Sequence, residues 1–280
     1  GLMTKGPISL PISQTTSSSV NILTDLGSVL MSSSVLTQEL QVASAAGNTT
    51  DARTAAIANG DIVVGAVTPV DWTLKMTAVK DQKSCGSCWA FTAVGLIEAG
   101  LRIKYGSVYN FAEQELVDCC LSTLTSVCYV GSGCQGGNSE QALNYVSKWG
   151  IAATSAYPYA ARLGSCRNSS TSRYKVVNSA APVSYVARLS ASSLQNSIAK
   201  KPTAIYVDAS SWQWYFSGIF TGCIYTGLNH AVIAVGYDAS GNWKIRNSWG
   251  PLWGEAGHIR IAAVGNPCGV LSFPFTTTVV

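Results

Sequence analysis

Residues 1 to 65 contain neither a cysteine nor an aromatic side chain, and the whole chain holds two histidines. Charge is scarce as well: 11% of the 280 residues are Asp, Glu, Lys or Arg, and the net charge is +4. With so few charges the surface must be carried largely by Ser, Thr, Asn and Gly, a composition that suits an extracellular globular protein. The small positive balance comes without a Lys/Arg run or a basic stripe interleaved with aromatics, which argues against a nucleic-acid partner. No apolar run approaches the roughly 20 residues needed to cross a bilayer. The longest candidate, near Ile62 to Val70, is broken by Gly65, Thr68 and Pro69. A soluble chain with no membrane partner is therefore expected. It starts at Gly1 without a basic segment followed by an apolar core, so any secretory signal is expected to have been removed already.

What is present points the same way. A chain of 280 residues can bury a large core as one big domain or as two lobes. Nine cysteines are too many for a reducing compartment, so a secreted or lysosomal/vacuolar setting is expected. Their odd number leaves one thiol over if four disulfides form, and that thiol is either an accident or a reactive group. Asn48 and Asn168 each begin a glycosylation triplet, in keeping with the secretory reading.

The chain changes character near Gly65, where a Ser-, Thr-, Ala- and Val-rich leader (residues 1–65) gives way to a Cys- and aromatic-containing domain (residues 66–280). Within the leader, Val20, Leu23, Leu26, Leu30, Val35, Leu36 and Leu40 recur at roughly helical spacing and predict one or two modest helices. Beyond it, the run from Trp89 to Tyr105 is apolar on most faces and predicts a long buried helix starting at Cys88. Asn110 with Glu113, and Asn138 with Gln141, look like capping pairs opening helices at Ala112 to Cys119 and Ser139 to Trp149, the second ended by Gly150. A further helix is predicted near Ser192 to Lys200, before Pro202. Strands are predicted at Thr203 to Ala209, His230 to Asp238, Trp243 to Trp249 and Gly257 to Ala263. Helices first and strands second predict an α+β protein of two lobes, about 66–175 and 176–280, with a cleft between them.

The sharpest local string is Gln82-Lys83-Ser84-Cys85-Gly86-Ser87-Cys88-Trp89-Ala90-Phe91. Its Cys-x-x-Cys lacks the second pair and the histidines that a zinc site needs, and it lacks the preceding βαβ pattern of a thioredoxin-like redox site. A cysteine at a helix start faces unpaired N–H groups and the positive end of the helix dipole, which favour the nucleophilic thiolate. An imidazole that takes its proton strengthens the effect. His258 lies within an alternating strand and reads as structural, whereas His230 heads a strand, where cleft residues lie, and is the better base. Asn247, at the end of the next strand, can accept a hydrogen bond from the imidazole and fix its tautomer and plane.

With Cys85-Gly86-Ser87-Cys88-Trp89, Asn229-His230-Ala231-Val232 and Arg246-Asn247-Ser248-Trp249-Gly250 in this order, residues 66 to 275 resemble the papain-like cysteine proteases of the papain and cathepsin L type. The resemblance implies a helical left lobe and an antiparallel, β-barrel-like right lobe. Cys88 would be the nucleophile, His230 the base, Asn247 its orienting partner, and Gln82 with the Cys88 N–H the oxyanion donors. Trp249 would shield the His–Asn hydrogen bond from water. Substrate-binding positions would be Gly136, Gly137, Asn138, Ser139, Tyr206, Leu228, Asn229, Trp249 and Phe273. Of these, Asn138, Ser139, Tyr206, Leu228 and Phe273 would form the pocket for the side chain two residues before the cut. None of the pocket residues is acidic, and Tyr206 and Phe273 are bulky, so a shallow pocket favouring Val or Leu over Phe and rejecting Arg is expected. By the same resemblance Cys85 pairs with Cys134, Cys119 with Cys166 and Cys223 with Cys268, while Cys120 and Cys128 form an extra loop bridge. Exchange of partners between the adjacent Cys119 and Cys120 stays open. The reading implies peptide or protein substrates, no cofactor, no metal and a monomer. Two departures stand out: the leader lacks the spaced aromatic and charged residues of the family's inhibitory propeptide, and the histidine pair of the cathepsin B occluding loop is missing, which favours endopeptidase action. The rival expectation is a structural or binding protein that keeps the fold; a third is a latent zymogen.

Overall fold

A computed structural model describes residues 67–167 and 172–280. The leader with its expected helices, the boundary near Gly65, and both Asn48 and Asn168 lie outside the described residues.

Helix α1 (Cys88–Tyr105) is buried at every residue from Cys88 to Ala99, as its all-round apolar run requires. It ends where Gly106 adopts φ 77°, a left-handed conformation that costs glycine little, and returns its N–H to Arg102 O. Helix α2 (Glu113–Cys119) and helix α3 (Ser139–Trp149) follow. Asn138 caps α3 by accepting from the Gln141 N–H at 3.0 Å. The Asn110–Glu113 capping pair does not form: Ala112 stands at the cap position before α2 with no side-chain cap, and the Glu113 carboxylate goes to Lys80 at 2.6 Å. A charge-assisted bond to a distant cation has displaced the local one. Helix α4 (Ala191–Ile198) is capped by Ser190.

The strand-rich half is an eight-stranded sheet among the described residues. Its centre is β3 (Thr203–Val207), β5 (His230–Tyr237), β6 (Trp243–Arg246) and β7 (His258–Ile261), paired antiparallel in that spatial order. All four stop short of the predicted ends by one to three residues, and β7 also starts one residue later than predicted. Short strands complete the sheet: β2 (Ser184–Tyr185) beside β8 (Phe275–Thr276), and β4 (Ile219–Phe220), which runs parallel to β7. The strand β1 (Val70–Asp71) also pairs with β5, so the start of the domain joins the half expected to begin near residue 176.

Strand alternation divides the core. Ala204, Tyr206, Ala231, Ile233 and Val235 point toward the helices, while Ile205, Val207, Val232 and Ala234 point the other way, onto Trp212, Trp243, Ile259 and Ile261. Each fully buried Val, Leu or Ile contributes about 1.5–3 kcal/mol against the unfolded chain. Bridges join Cys85 to Cys134, Cys119 to Cys166, Cys120 to Cys128 and Cys223 to Cys268, and Cys88 stays free. Both sheet faces being covered, the register Val207 opposite His230 carries His230 to the end of its strand beside the helical half.

Candidate active site

Cys88 is the first residue of α1 and is 2% exposed. Burial pushes its thiol up to about 11, and the N–H groups of Ala231, Trp89 and Cys88 itself pull the other way without winning. The expected thiolate therefore does not follow from the helix start alone; desolvation outweighs the dipole unless a base takes the proton. Ala231, whose N–H meets the thiol, is the residue after His230.

His230 is buried and its Nε2 lies 2.7 Å from Asn247 Oδ1. The same oxygen accepts the Ser248 N–H at 2.8 Å, so it acts as an acceptor and the imidazole must donate through Nε2. That fixes Nδ1 as the ring nitrogen able to receive a proton. Three indoles enclose the pair: Trp249 lies 5.0 Å from the imidazole between centroids, Trp212 meets it edge-on at 6.3 Å, and Trp253 touches both tryptophans. Asn247 follows β6, and its N–H is tied to Gly257 O at 3.0 Å.

Gln82 is buried, with Nε2 donating to Cys85 O at 2.9 Å and Oε1 accepting from Ser248 Oγ at 2.6 Å. One of its two amide protons is committed in this way, and the other is the one an oxyanion could use. Ser248 and Tyr159 were not singled out in the sequence, yet both hold this amide residue. Besides its hydroxyl bond, Ser248 O accepts the Gln82 N–H at 2.8 Å, and the Tyr159 hydroxyl donates to Gln82 O at 2.8 Å. The Cys85–Cys134 bridge and the Trp89 Nε1 bond to Gly133 O at 3.3 Å tie this string to the turn that carries Gly136 and Gly137. A Cβ on Gly137 would lie 2.5 Å from the Trp89 indole, so only glycine lets the turn approach that closely.

The residues expected to form the pocket divide by burial. Leu228, Asn229 and Phe273 are half-buried, and the Arg188 guanidinium lies 3.7 Å from the Phe273 ring centroid. Asn138, Ser139 and Tyr206 are buried, Tyr206 completely. Its phenol accepts from the Ser139 N–H at 3.0 Å and donates to Glu140, so a buried carboxylate sits at a place where the pocket residues alone offered no acid. Nothing local could have marked Glu140, 66 residues from Tyr206. Asn229 accepts from the Ala209 N–H at 3.0 Å and donates to Asp208 Oδ1 at 3.0 Å and Ser210 Oγ at 2.8 Å. His258 pairs with Arg246 in the sheet and is buried, its Nδ1 donating to Ala256 O at 3.0 Å.

Residues 66–278 match the model of the papain family cysteine proteases. Cathepsin L 1 of Paramecium tetraurelia is 44% identical over 209 residues, covering 73% of this chain and 62% of that protein. Digestive cysteine proteinase 2 of Homarus americanus is 40% identical over 215 residues, covering 72% and 64%. The chain thus spans less than two thirds of the length of these relatives. Among solved structures, the bromelain protease of Ananas comosus in complex with the E64 inhibitor matches with a TM-score of 0.66 at 33% identity, covering 76% of this chain and 100% of that one. A Carica candamarcensis cysteine protease in complex with E-64 matches with a TM-score of 0.65 at 37% identity, covering 76% and 98%.

Proposed function

The chain belongs to the papain family of cysteine proteases, and from that premise we propose that it is an active endopeptidase with Cys88 as nucleophile and His230 as base. The thiol proton passes to His230 Nδ1, and the sulfur attacks the scissile carbonyl carbon. The oxyanion is met by the Cys88 N–H and the uncommitted amide proton of Gln82; losing one such donor costs about 10² to 10³ in rate. The C–N bond then breaks as His230 gives its proton to the leaving amine, leaving a thioester on Cys88. Water, deprotonated by His230, attacks the thioester, and the sulfur leaves and is reprotonated. Asn247 keeps the imidazole in the tautomer that these transfers require.

The observation that carries this reading is the pairing of the His230 Nε2 bond to Asn247 with an unbridged thiol at Cys88. Peptides and proteins are the proposed substrates, with a hydrophobic residue preferred two positions before the cut. Four disulfides fit passage through an oxidising compartment, and a secreted or lysosomal location is proposed. The test is labelling by the epoxide E-64 together with hydrolysis of generic fluorogenic peptides. The folded protein is expected to label at Cys88 alone and to cleave; Cys88→Ala should do neither while melting as a folded protein. A chain that neither labels nor cleaves, before or after trimming near Gly65, would be a binding protein that has kept the fold.

A further inference from the structure

The Asn247 side chain is satisfied at one end only. Its Oδ1 is taken by His230 Nε2 at 2.7 Å and by the Ser248 N–H at 2.8 Å. Its Nδ2 belongs to a residue that is 3% exposed and has no protein partner among the described residues. A buried amide in that position is costly unless water meets it. Asn247 also lines a cavity of about 20 Å³, which is room for a water molecule. Across it lie Lys80, Glu98, Glu113 and Arg246, and its walls include Thr92 and Gly95 of α1 and Ile233 of β5.

The groups in this cavity are unequally committed. Lys80 donates to Glu98 and to Glu113 Oε1 at 2.6 Å each, and Arg246 donates to Thr77 O and Ala78 O. Glu98 accepts in addition from the Thr77 hydroxyl at 2.8 Å and the Phe111 N–H at 2.9 Å. An ionised carboxylate has about four acceptor sites, so Glu113 can take a further hydrogen bond beside the one from Lys80.

We propose that a water molecule in this cavity accepts from Asn247 Nδ2 and donates to the Glu113 carboxylate, which makes Glu113 a positioning residue for the His230–Asn247 pair. Held from behind, the amide cannot turn over without setting donor against donor at both His230 Nε2 and the Ser248 N–H. A bond from Nδ2 through water to a carboxylate also polarises the amide, so Oδ1 accepts more strongly and stabilises the imidazolium formed when His230 takes the thiol proton. Burial, opposed by Lys80 and helped by Glu98, raises Glu113 to about 7, so above neutral pH the water faces a carboxylate.

This inference rests on the peptidase reading, and its test separates the two. A high-resolution crystal structure is expected to show an ordered water within hydrogen-bond distance of both Asn247 Nδ2 and the Glu113 carboxylate. The pH profile of kcat/KM on a generic fluorogenic peptide tests the role, its alkaline limb following loss of the His230 imidazolium proton. Glu113→Gln should move that limb down by about half a pH unit or more. The other titratable and charged groups on the elements around His230 are unchanged in this variant: Cys88 and Glu98 of α1, Lys80 and Asp81 before it, Asp208 after β3, Arg246 of β6 and His258 of β7. Loss of a negative charge would move the limb even without the water, so the deciding variant is Thr92→Leu, which fills the cavity and keeps every charge. It should move the limb in the same direction. If Thr92→Leu does not melt as a folded protein, Gly95→Ala takes its place, because the added methyl would lie 2.6 Å from Ile233 Cδ1 and displace that side chain of the cavity wall. A wild-type structure without a water joining the two groups, an unmoved limb in Glu113→Gln, or an unmoved limb in the cavity variant overturns the inference. When any of these occurs in a protein that labels at Cys88, the peptidase reading stands. A protein that neither labels nor cleaves overturns the peptidase reading, and the positioning role with it, even if the water is found.

Discussion

At Cys88 two consequences of position oppose each other. The start of α1 offers N–H groups that favour the thiolate, while a site that is 2% exposed favours the neutral thiol, and burial prevails up to about 11. On the proposed mechanism, reactivity near neutral pH comes from transfer of the proton to His230. In His230→Ala the thiolate fraction should keep rising with pH beyond 9, toward the high value set by burial, whereas the wild-type protein should reach its alkylation plateau at much lower pH. Iodoacetamide kinetics at Cys88, followed by mass spectrometry across pH 5 to 11, check this; coincident profiles would remove His230 from the role of base. Asn247→Ala should leave more peptidase activity than His230→Ala, whose loss of a general base costs about 10² to 10⁴. The placement of these three residues was legible because a helix start, a strand start and a strand end can be read from local pattern. The protonation balance was not, because burial is a property of the packed molecule.

Between β3 and β5 the chain is organised around one carboxylate. Asp208 is completely buried; it accepts from the N–H groups of Ser210, Thr226 and Gly227, the Thr226 hydroxyl and the Asn229 amide, and so it ties down the segment that delivers Leu228 and His230. Burial raises Asp208, but these bonds outweigh it and hold the group far below the ordinary carboxylate range. A carboxylate whose folded value is depressed contributes stability that is full above its unfolded value, about 3.9, and is lost as pH falls toward the folded one. Asp208→Asn should therefore lower the melting temperature at pH 6 and flatten its decline below about pH 4. Thermal melts of both proteins from pH 2 to 6 check this, and an equally steep acid decline in the variant would assign that decline to other groups. Neither Asp208 nor the Glu140–Tyr206 tie could be read in advance. Periodicity reports which face of a strand is buried, but the partner of a polar group can lie far along the chain, 66 residues away for Glu140 and Tyr206. Asn110 fails as a cap for the same reason, since Glu113 is claimed by Lys80 from 33 residues upstream.

Across the whole described domain, the helical half and the sheet are joined by charges as well as by apolar packing. Lys80, in the segment before α1, reaches Glu98 of α1 and Glu113 of α2 at 2.6 Å each, and Arg246 of β6 donates to Thr77 O and Ala78 O at 2.7 Å. The Glu98 and Glu113 side chains are 1% and 3% exposed, so the ammonium group is what lets two carboxylates share a dry site. Burial, helped by the neighbouring Glu98 and opposed by Lys80, raises Glu113 to about 7. In Lys80→Met the downward pull disappears and both upward ones remain. Removing one partner of a buried ion pair costs about 3–5 kcal/mol when the remaining charge is uncompensated. The sign of the pH dependence follows from the raised carboxyl. Its folded value lies above its unfolded value of about 4.3, so the folded state is favoured by protonation below that and penalised as pH rises through the folded value, at or above 7. The variant's deficit against the wild-type protein should be largest at pH 8 and should shrink toward pH 5, where Glu113 can be neutral. Urea unfolding of both proteins at the two pH values measures it. A deficit equal or larger at pH 5 would mean that Lys80 acts through the packing of its aliphatic stem rather than by neutralising the pair of carboxylates.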